Sequence, residues 1–403
     1  MHSIKEIFVI GYGPSSSHTM GPANACKFIL DKYKDIKSIK VTLYGSLALT
    51  GKGHLTDYVI NLKLKDIPHE VIFDKTSEVK HPNTLIFEVT TKEDKTYKEE
   101  VLSIGGGSII TSDTEKEHKD VYPLSTLKEI CDYCDENHIS LADYIKIYED
   151  KDIEEYIKHV MSVMDDAVNR GIKTEGHLPG ELKLKRKAPE LYRRLEKERS
   201  YSDNVKRIYD LIMIVSAFAT AEENASGGTI VTAPTCGSAG VIPGCLAYLK
   251  ARKTEEKKII EGLMVAGLIG MLCKTNGSIS GAEAGCQAEI GVACAMGAAM
   301  IAFAKDMGNR KAAEAAEIAL EHSLGLTCDP VKGYVQIPCI ERNAVASLRA
   351  YDSYLLASEL ISDEAKISFD LICKTMLKTG KDLSSRYRET SEGGLALDYG
   401  KDI

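Results

Sequence analysis

The chain has 403 residues, 44% hydrophobic and 27% charged, a balance that buries a core over two or more domains without disulfide staples. Its net charge of −8 runs against a nucleic-acid partner, whose phosphates want a positive surface. The uncharged, Ala- and Gly-rich stretch Ile290 to Ala304 is shorter than the about 17–25 residues of a bilayer helix. The first residues lack the basic and long apolar regions of a secretory leader. These features predict a cytoplasmic chain with no membrane partner. In that reducing setting the eleven cysteines read as core residues, metal ligands or catalysts.

Residues 5–110 mix strand and helix signals. Ile7–Ile10 is a short apolar run, read as a short strand entering Gly11-Tyr12-Gly13-Pro14, and Ala23–Lys34 has helical spacing. Ile39–Tyr44, Leu85–Thr90 and Val101–Ile104 read as strands, with a polar hairpin at Lys92–Lys95 and a break at Gly105–Gly107. From Ser125 the pattern becomes helical: Leu127–Glu136, Leu141–Tyr148, Ile153–Arg170, Val205–Thr220, Ile259–Cys273, Ala288–Asp306, Lys311–Leu324, Asn343–Ser358 and Ile367–Thr379. The fold class is therefore α+β: an N-terminal α/β domain at 1–120 and a larger, mostly helical domain at 125–403, with the boundary in the charged stretch Ser112–Tyr122. The basic run Lys183–Lys187 reads as a solvated helix start; the other reading is that Lys185 or Arg186 neutralises a carboxylate or cluster charge.

Gly/Pro-rich loops interrupt the helices at 177–182, 233–240, 276–286 and 326–339. Loops of this kind carry function more often than helix bodies. Cys328 and Cys339 flank one of them, together with Pro330 and Pro338, and such a turn aims two sulfurs at one point. Cys286 ends another loop at the start of an apolar helix, where the helix N-terminus favours thiolate. Three convergent thiolates suit an iron–sulfur cluster with one iron left open; the plain alternative is three buried thiols. Cys245, Cys273 and Cys294 read as core, and Cys131 and Cys134 as surface or half-buried.

Gly13-Pro14-Ser15-Ser16-Ser17-His18-Thr19 offers four hydroxyls and a histidine. No Gly-x-Ser-x-Gly elbow or phosphate loop accompanies it. Helix capping explains one hydroxyl, not the set. His54 follows Gly51-Lys52-Gly53, and His81-Pro82-Asn83 reads as a turn.

Together these pieces resemble the iron–sulfur-dependent L-serine dehydratases. The stretches that carry the resemblance are GPSSSHTMGP (13–22), YGSLALTGKGH (44–54), HPN (81–83), SIGGG (103–107) and EENASGG (222–228), then TAPTCGSAGVIPG (232–244), AEAGCQAEIGVACAMGAAM (282–300), LTCDPVKGYVQIPCIERNA (326–344) and RETSEGGLA (388–396). The resemblance implies a [4Fe–4S] cluster on Cys286, Cys328 and Cys339, a homodimer, and substrate contacts from the small domain. The chain departs from the family pattern at three points. Leu55 follows His54 where glycine is usual, Ala288 replaces a glycine, and no cysteine follows Cys373 where relatives often end in one. In place of a tail thiolate, only carboxylates such as Asp398 or Asp402 stand near the C-terminus.

The implied reaction converts L-serine to pyruvate and ammonia. It needs an electrophile on the β-hydroxyl and a base near neutrality at Cα. His18 and His54 are the base candidates, unranked by sequence. Ser15, Ser16, Ser17 and Thr19 would hold the carboxylate or amine, with Asn83 and Asn224 as further contacts. The rivals are a pyridoxal-phosphate lyase, a cysteine desulfidase-type or L-threonine-acting cluster lyase, and a non-enzymatic redox-sensing cluster protein.

Overall fold

The computed structural model describes residues 1–111, 120–360 and 366–401. Most of the expected boundary, residues 112–119, lies outside the described residues. The chain divides into two units. One comprises Gly11–Glu117 with Asn224–Thr229; the other comprises Met1–Ile10, His118–Glu223 and Ile230–Ile403.

The small unit follows strand β1 (Ile10–Tyr12) with α1 (Gly21–Lys32), β2 (Ile36–Tyr44), α2 (Gly45–Thr50), α3 (Thr56–Lys63), β3 (His69–Asp74), β4 (Thr84–Thr91), β5 (Thr96–Gly105) and β6 (Ser108–Ile110). Its sheet has the order β3-β2-β4-β5-β6. β2 and β3 run parallel, with Val41 opposite Val71, and α2 and α3 supply the crossover that a parallel pair requires. The other neighbours are antiparallel, Val41 facing Phe87 and Phe87 facing Glu99. Alternation puts Val41, Leu43, Leu85, Phe87 and Val101 on one face, packed with Ala25, Cys26 and Ile29 of α1. Pro22 in the first turn of α1 presets its backbone for the helix.

The helical unit is built from α4 (Leu127–Glu136), α5 (Leu141–Tyr148), α6 (Ile153–Gly171), α7 (Ala188–Tyr201), α8 (Val205–Ala225), strand β7 (Thr229–Val231), α9 (Val241–Ala251) and α10 (Glu256–Asn276). Then come α11 (Gly281–Ala284), α12 (Val292–Ala304), α13 (Gly308–Glu321), α14 (Cys339–Glu359), α15 (Phe369–Asp382) and α16 (Leu395–Asp398). α4 and α5 coincide with the spans read from spacing, and each starts at a side-chain cap, Thr126 and Ser140. Two stretches, Glu256–Asn276 and Gln287–Ala304, are long and apolar enough to cross a membrane, yet 78% and 89% of them are buried inside the unit. They pack closely because small residues face each other, a Cβ on Gly262 standing 2.8 Å from Met300 O, and α12 also presses on α9, where a Cβ on Gly297 would stand 2.8 Å from Cys245 Sγ.

The structure corrects three local expectations. Ile7 and Phe8 are not in a strand; they follow a 3₁₀ turn at Ile4–Glu6 and are fully buried in the core of the helical unit, and the strand begins only at Ile10. Cys131 and Cys134, one turn apart on α4, are fully buried, because their face carries Leu127 and Ile130 into the core. Arg186 is not solvated. It is buried and pairs through Nη1 with Glu223 Oε1 at 2.9 Å, while Lys185 is exposed. A buried guanidinium held by a carboxylate is a structural pair, destabilising if either partner is lost.

Candidate functional site

In the small unit, the hydroxyl loop is a single turn, Ser16–Met20, leading straight into α1. Ser15 caps that turn, its Oγ accepting from His18 N at 3.2 Å. Ser17 Oγ and His18 Nδ1 are 2.8 Å apart, and His18 Nε2 and Ser46 Oγ are 2.9 Å apart. Both nitrogens of His18 are therefore engaged by hydroxyls. Thr19 is fully buried; its Oγ1 accepts from Ser15 N at 3.2 Å and donates to His54 O at 2.7 Å. Thr56 Oγ1 in turn donates to His18 O at 2.6 Å. Each histidine's carbonyl is thus tied to a threonine next to the other histidine or two residues beyond it. The rings lie 4.8 Å apart, tilted by 37°.

His54 Nδ1 is 3.2 Å from Thr50 O. A carbonyl only accepts, so Nδ1 carries the proton and the lone pair sits on Nε2. Among the described residues nothing hydrogen-bonds that Nε2. Burial holds the His54 ring below its ordinary value. Burial and the neighbouring His54 push His18 down to about 3. Both rings are neutral at pH 7. Leu55, where the family pattern has glycine, adopts φ 58°, ψ 31°, a left-handed conformation that glycine takes freely and leucine does not.

The other early motifs close around the same loop. Ser46 N donates to Pro82 O at 2.7 Å, Ser103 N to Asn83 O at 2.9 Å, and Ser103 Oγ to Ser17 O at 2.7 Å. A Cβ on Gly21 would stand 1.9 Å from Ser103 Oγ, so only glycine fits there. Asn83 and Asn224 each use the amide nitrogen, toward Ser103 O at 3.3 Å and Pro14 O at 3.5 Å. Each leaves a buried Oδ1 with no partner. Buried acceptors left open in this way call for a donor from elsewhere. Ser16 Oγ is likewise without a partner among the described residues.

In the helical unit, Cys286 precedes the turn Gln287–Gly291 that runs into α12, and Cys339 opens α14. Cys328 is pinned by the 385–395 loop: its N donates to Tyr387 O at 2.8 Å, and its O accepts from Glu389 N at 2.7 Å. The Cys286 and Cys328 thiols are buried and Cys339 is half-buried, and the three act on one another electrostatically. Burial raises all of them, Cys286 to about 11 despite the Arg342 guanidinium beside it. Glu289 is held by Thr235 Oγ1 at 2.7 Å, and burial keeps its carboxyl up; burial, then Glu289, raises Glu389 to about 8.

Spacing alone did not single out Glu289 and Arg342, although the signal was present. Each lies three residues after a candidate cysteine on a helical start, hence on the same face. Cys373 stands apart from the three: its Sγ is 3.4 Å from Cys273 Sγ in the core. Asp398 is exposed and pairs with Lys401, and Asp402 lies outside the described residues.

Among the described residues no three His, Cys, Asp or Glu side chains gather tightly enough for a single metal ion. A four-iron cluster is broader than one ion and takes more widely spaced thiolates. The surroundings suit such a group. A Cβ on Gly281 would come within 3.3 Å of Cys328 Sγ and 2.7 Å of Glu289 Oε2, so the wall beside that sulfur has room for glycine alone.

Comparison with known proteins covers the whole chain. The serine dehydratase beta chain family matches residues 3–72, and the serine dehydratase alpha chain family matches residues 81–396. L-serine dehydratase 1 of Escherichia coli is 38% identical over 98% of this chain and 99% of its own. L-serine dehydratase of Haemophilus influenzae is 39% identical over the same shares, and that of Helicobacter pylori is 38% identical over 98% of each. These alignments run to 450 positions or more against 403 residues here, so the relatives carry insertions that this chain lacks. With both families matched in order along one polypeptide, the chain belongs to the serine dehydratase family as a single-chain member.

Proposed function

We propose that this protein is an L-serine ammonia-lyase that converts L-serine to pyruvate and ammonia with a [4Fe–4S] cluster on Cys286, Cys328 and Cys339. The observation that carries the reading is the match along 98% of the chain to L-serine dehydratases, with both histidines and all three cysteines inside the matched motifs. When bound, the cluster supplies a Lewis acid for the β-hydroxyl.

The protein's own groups do the rest. His54 is the base: it is neutral, its tautomer is fixed by Thr50 O, and its Nε2 lone pair is free to take the α-proton. His18, with both nitrogens held by Ser17 and Ser46, orients the loop and the facing ring. Asn83 and Asn224 accept from the substrate ammonium through their open Oδ1 atoms. Ser16 has a hydroxyl to spare for the carboxylate, whereas Ser15 and Ser17 share theirs with the turn, and the Thr19 hydroxyl is spent on Ser15 N and His54 O. Thr19 therefore serves by positioning. Loss of the α-proton and the β-hydroxyl, together one water, leaves aminoacrylate, which tautomerises and hydrolyses to pyruvate and ammonia. We place the enzyme in the cytoplasm, acting as a homodimer on a small-molecule substrate.

The test is anaerobic reconstitution with ferrous iron and sulfide, followed by pyruvate release from serine, cysteine and threonine. Brown absorption with serine as the fastest substrate supports the reading. Sulfide release from cysteine outpacing serine, or activity that follows pyridoxal phosphate and not iron, overturns it. Cys286→Ala, Cys328→Ala and Cys339→Ala are each expected to lose iron and activity together.

A further inference from the structure

Cys286 comes from one loop and Cys328 and Cys339 from another, and one side chain stands among all three. Arg342 sits on α14 one turn after Cys339. Its Nη1 donates to Thr327 O at 2.5 Å, and its Nη2 lies 3.6 Å from Asp329 Oδ1, so it grips both residues that flank Cys328. The same guanidinium acts electrostatically on the Cys286 and Cys339 sulfurs. Asp329 is itself fixed: it is buried, Thr327 Oγ1 donates to its Oδ1 at 3.2 Å, and Leu395 N donates to its Oδ2 at 2.8 Å. The side chain of Arg342 is only 22% exposed.

We propose that Arg342 is a positioning residue that holds the Cys286, Cys328 and Cys339 segments in register before iron arrives and offsets the negative charge of the thiolates once a cluster is bound. The inference rests on the cluster reading above. The fork geometry matters as much as the charge. Donors fixed in one plane bond the Thr327 carbonyl and face the Asp329 carboxylate at once, which a lysine ammonium on a flexible stem does not reproduce. Three thiolates on a [4Fe–4S]²⁺ core leave one net negative charge, and reduction adds another. A cation held at this distance therefore favours the reduced form.

The experiment compares the full-length wild-type chain with Arg342→Gln and Arg342→Lys under anaerobic conditions. It reads the rate of iron and sulfide uptake, the iron and acid-labile sulfide per chain, and the midpoint potential of the bound cluster. Arg342→Gln is expected to take up iron about 10-fold or more slowly, in line with the loss of a group that orients metal ligands, and to shift the potential to more negative values. Arg342→Lys is expected to keep a potential near wild type while loading slowly, which separates charge from geometry. Should Arg342→Gln fail to fold, Arg342→Lys carries the test through its loading rate. Loading at the wild-type rate with an unchanged potential in the variants overturns this inference alone. A wild-type chain that takes up no iron overturns the cluster reading and this inference with it.

Discussion

The histidine loop of the small unit and the cysteine loops of the helical unit solve opposite problems. In the small unit the reactive groups are ordinary polar side chains placed by short hydrogen bonds to backbone, with Thr19 and Thr56 locking the carbonyls of the opposite histidines. The rings are already in their working form, because burial keeps them neutral. In the helical unit Cys286 and Cys339 stand at helix starts and Cys328 in a loop, all three raised by the same burial. On the proposed reading they become ligands only when a metal displaces their protons. One desolvation thus prepares a base in one unit and holds a ligand set in reserve in the other, because it disfavours the charged form whatever its sign.

The sharpest test separates iron from rate. Cys339→Ala is expected to abolish iron binding and activity together, whereas His54→Gln keeps iron and lowers kcat by about 10²–10⁴-fold, the usual reach of a general base. Iron content and pyruvate release on the same samples check both, and a His54→Gln enzyme of normal rate would move the base elsewhere. The acid limb of kcat/KM is expected below 6.5, since His54 protonates only beneath the ordinary value from which burial lowers it. A limb at or above 6.5 breaks the assignment.

Smaller effects probe the packing of the loop. Gly21→Ala forces a Cβ onto Ser103 Oγ and is expected to cost about 1–3 kcal/mol in denaturant unfolding. Thr56→Val removes one donor to His18 O and is expected to cost about 1 kcal/mol, with a modest fall in kcat. Leu55→Gly relieves a left-handed backbone worth about 1–2 kcal/mol but surrenders a half-buried side chain and adds chain entropy, so thermal melting is expected to move little.

Periodicity made much of this architecture legible. α4 and α5 match their expected spans because capping residues and apolar spacing agree there, and the α+β division follows from where strand signals stop. It failed where burial depends on partners far away in sequence. Nothing local distinguishes Cys131 on a solvated face from Cys131 in a core, or a basic run in water from Arg186 sealed against Glu223. Ile7 and Phe8 read as a strand because four apolar residues look alike in either state.

The sequence by itself determined the chemistry on offer: hydroxyls and histidines early, cysteines in Gly/Pro loops late, and the order of motifs that marks the family. Only the tertiary structure decided which atoms are free to act. His18 and His54 are equivalent on paper and differ in the fold, because hydroxyls of Ser17 and Ser46 occupy one ring while a single carbonyl fixes the tautomer of the other. Arg342 and Glu289 gained meaning in the same way. Hydrogen bonds and burial are properties of neighbours, and some that matter here are distant in sequence, Ser46 being 28 residues from His18 and Thr235 54 residues from Glu289.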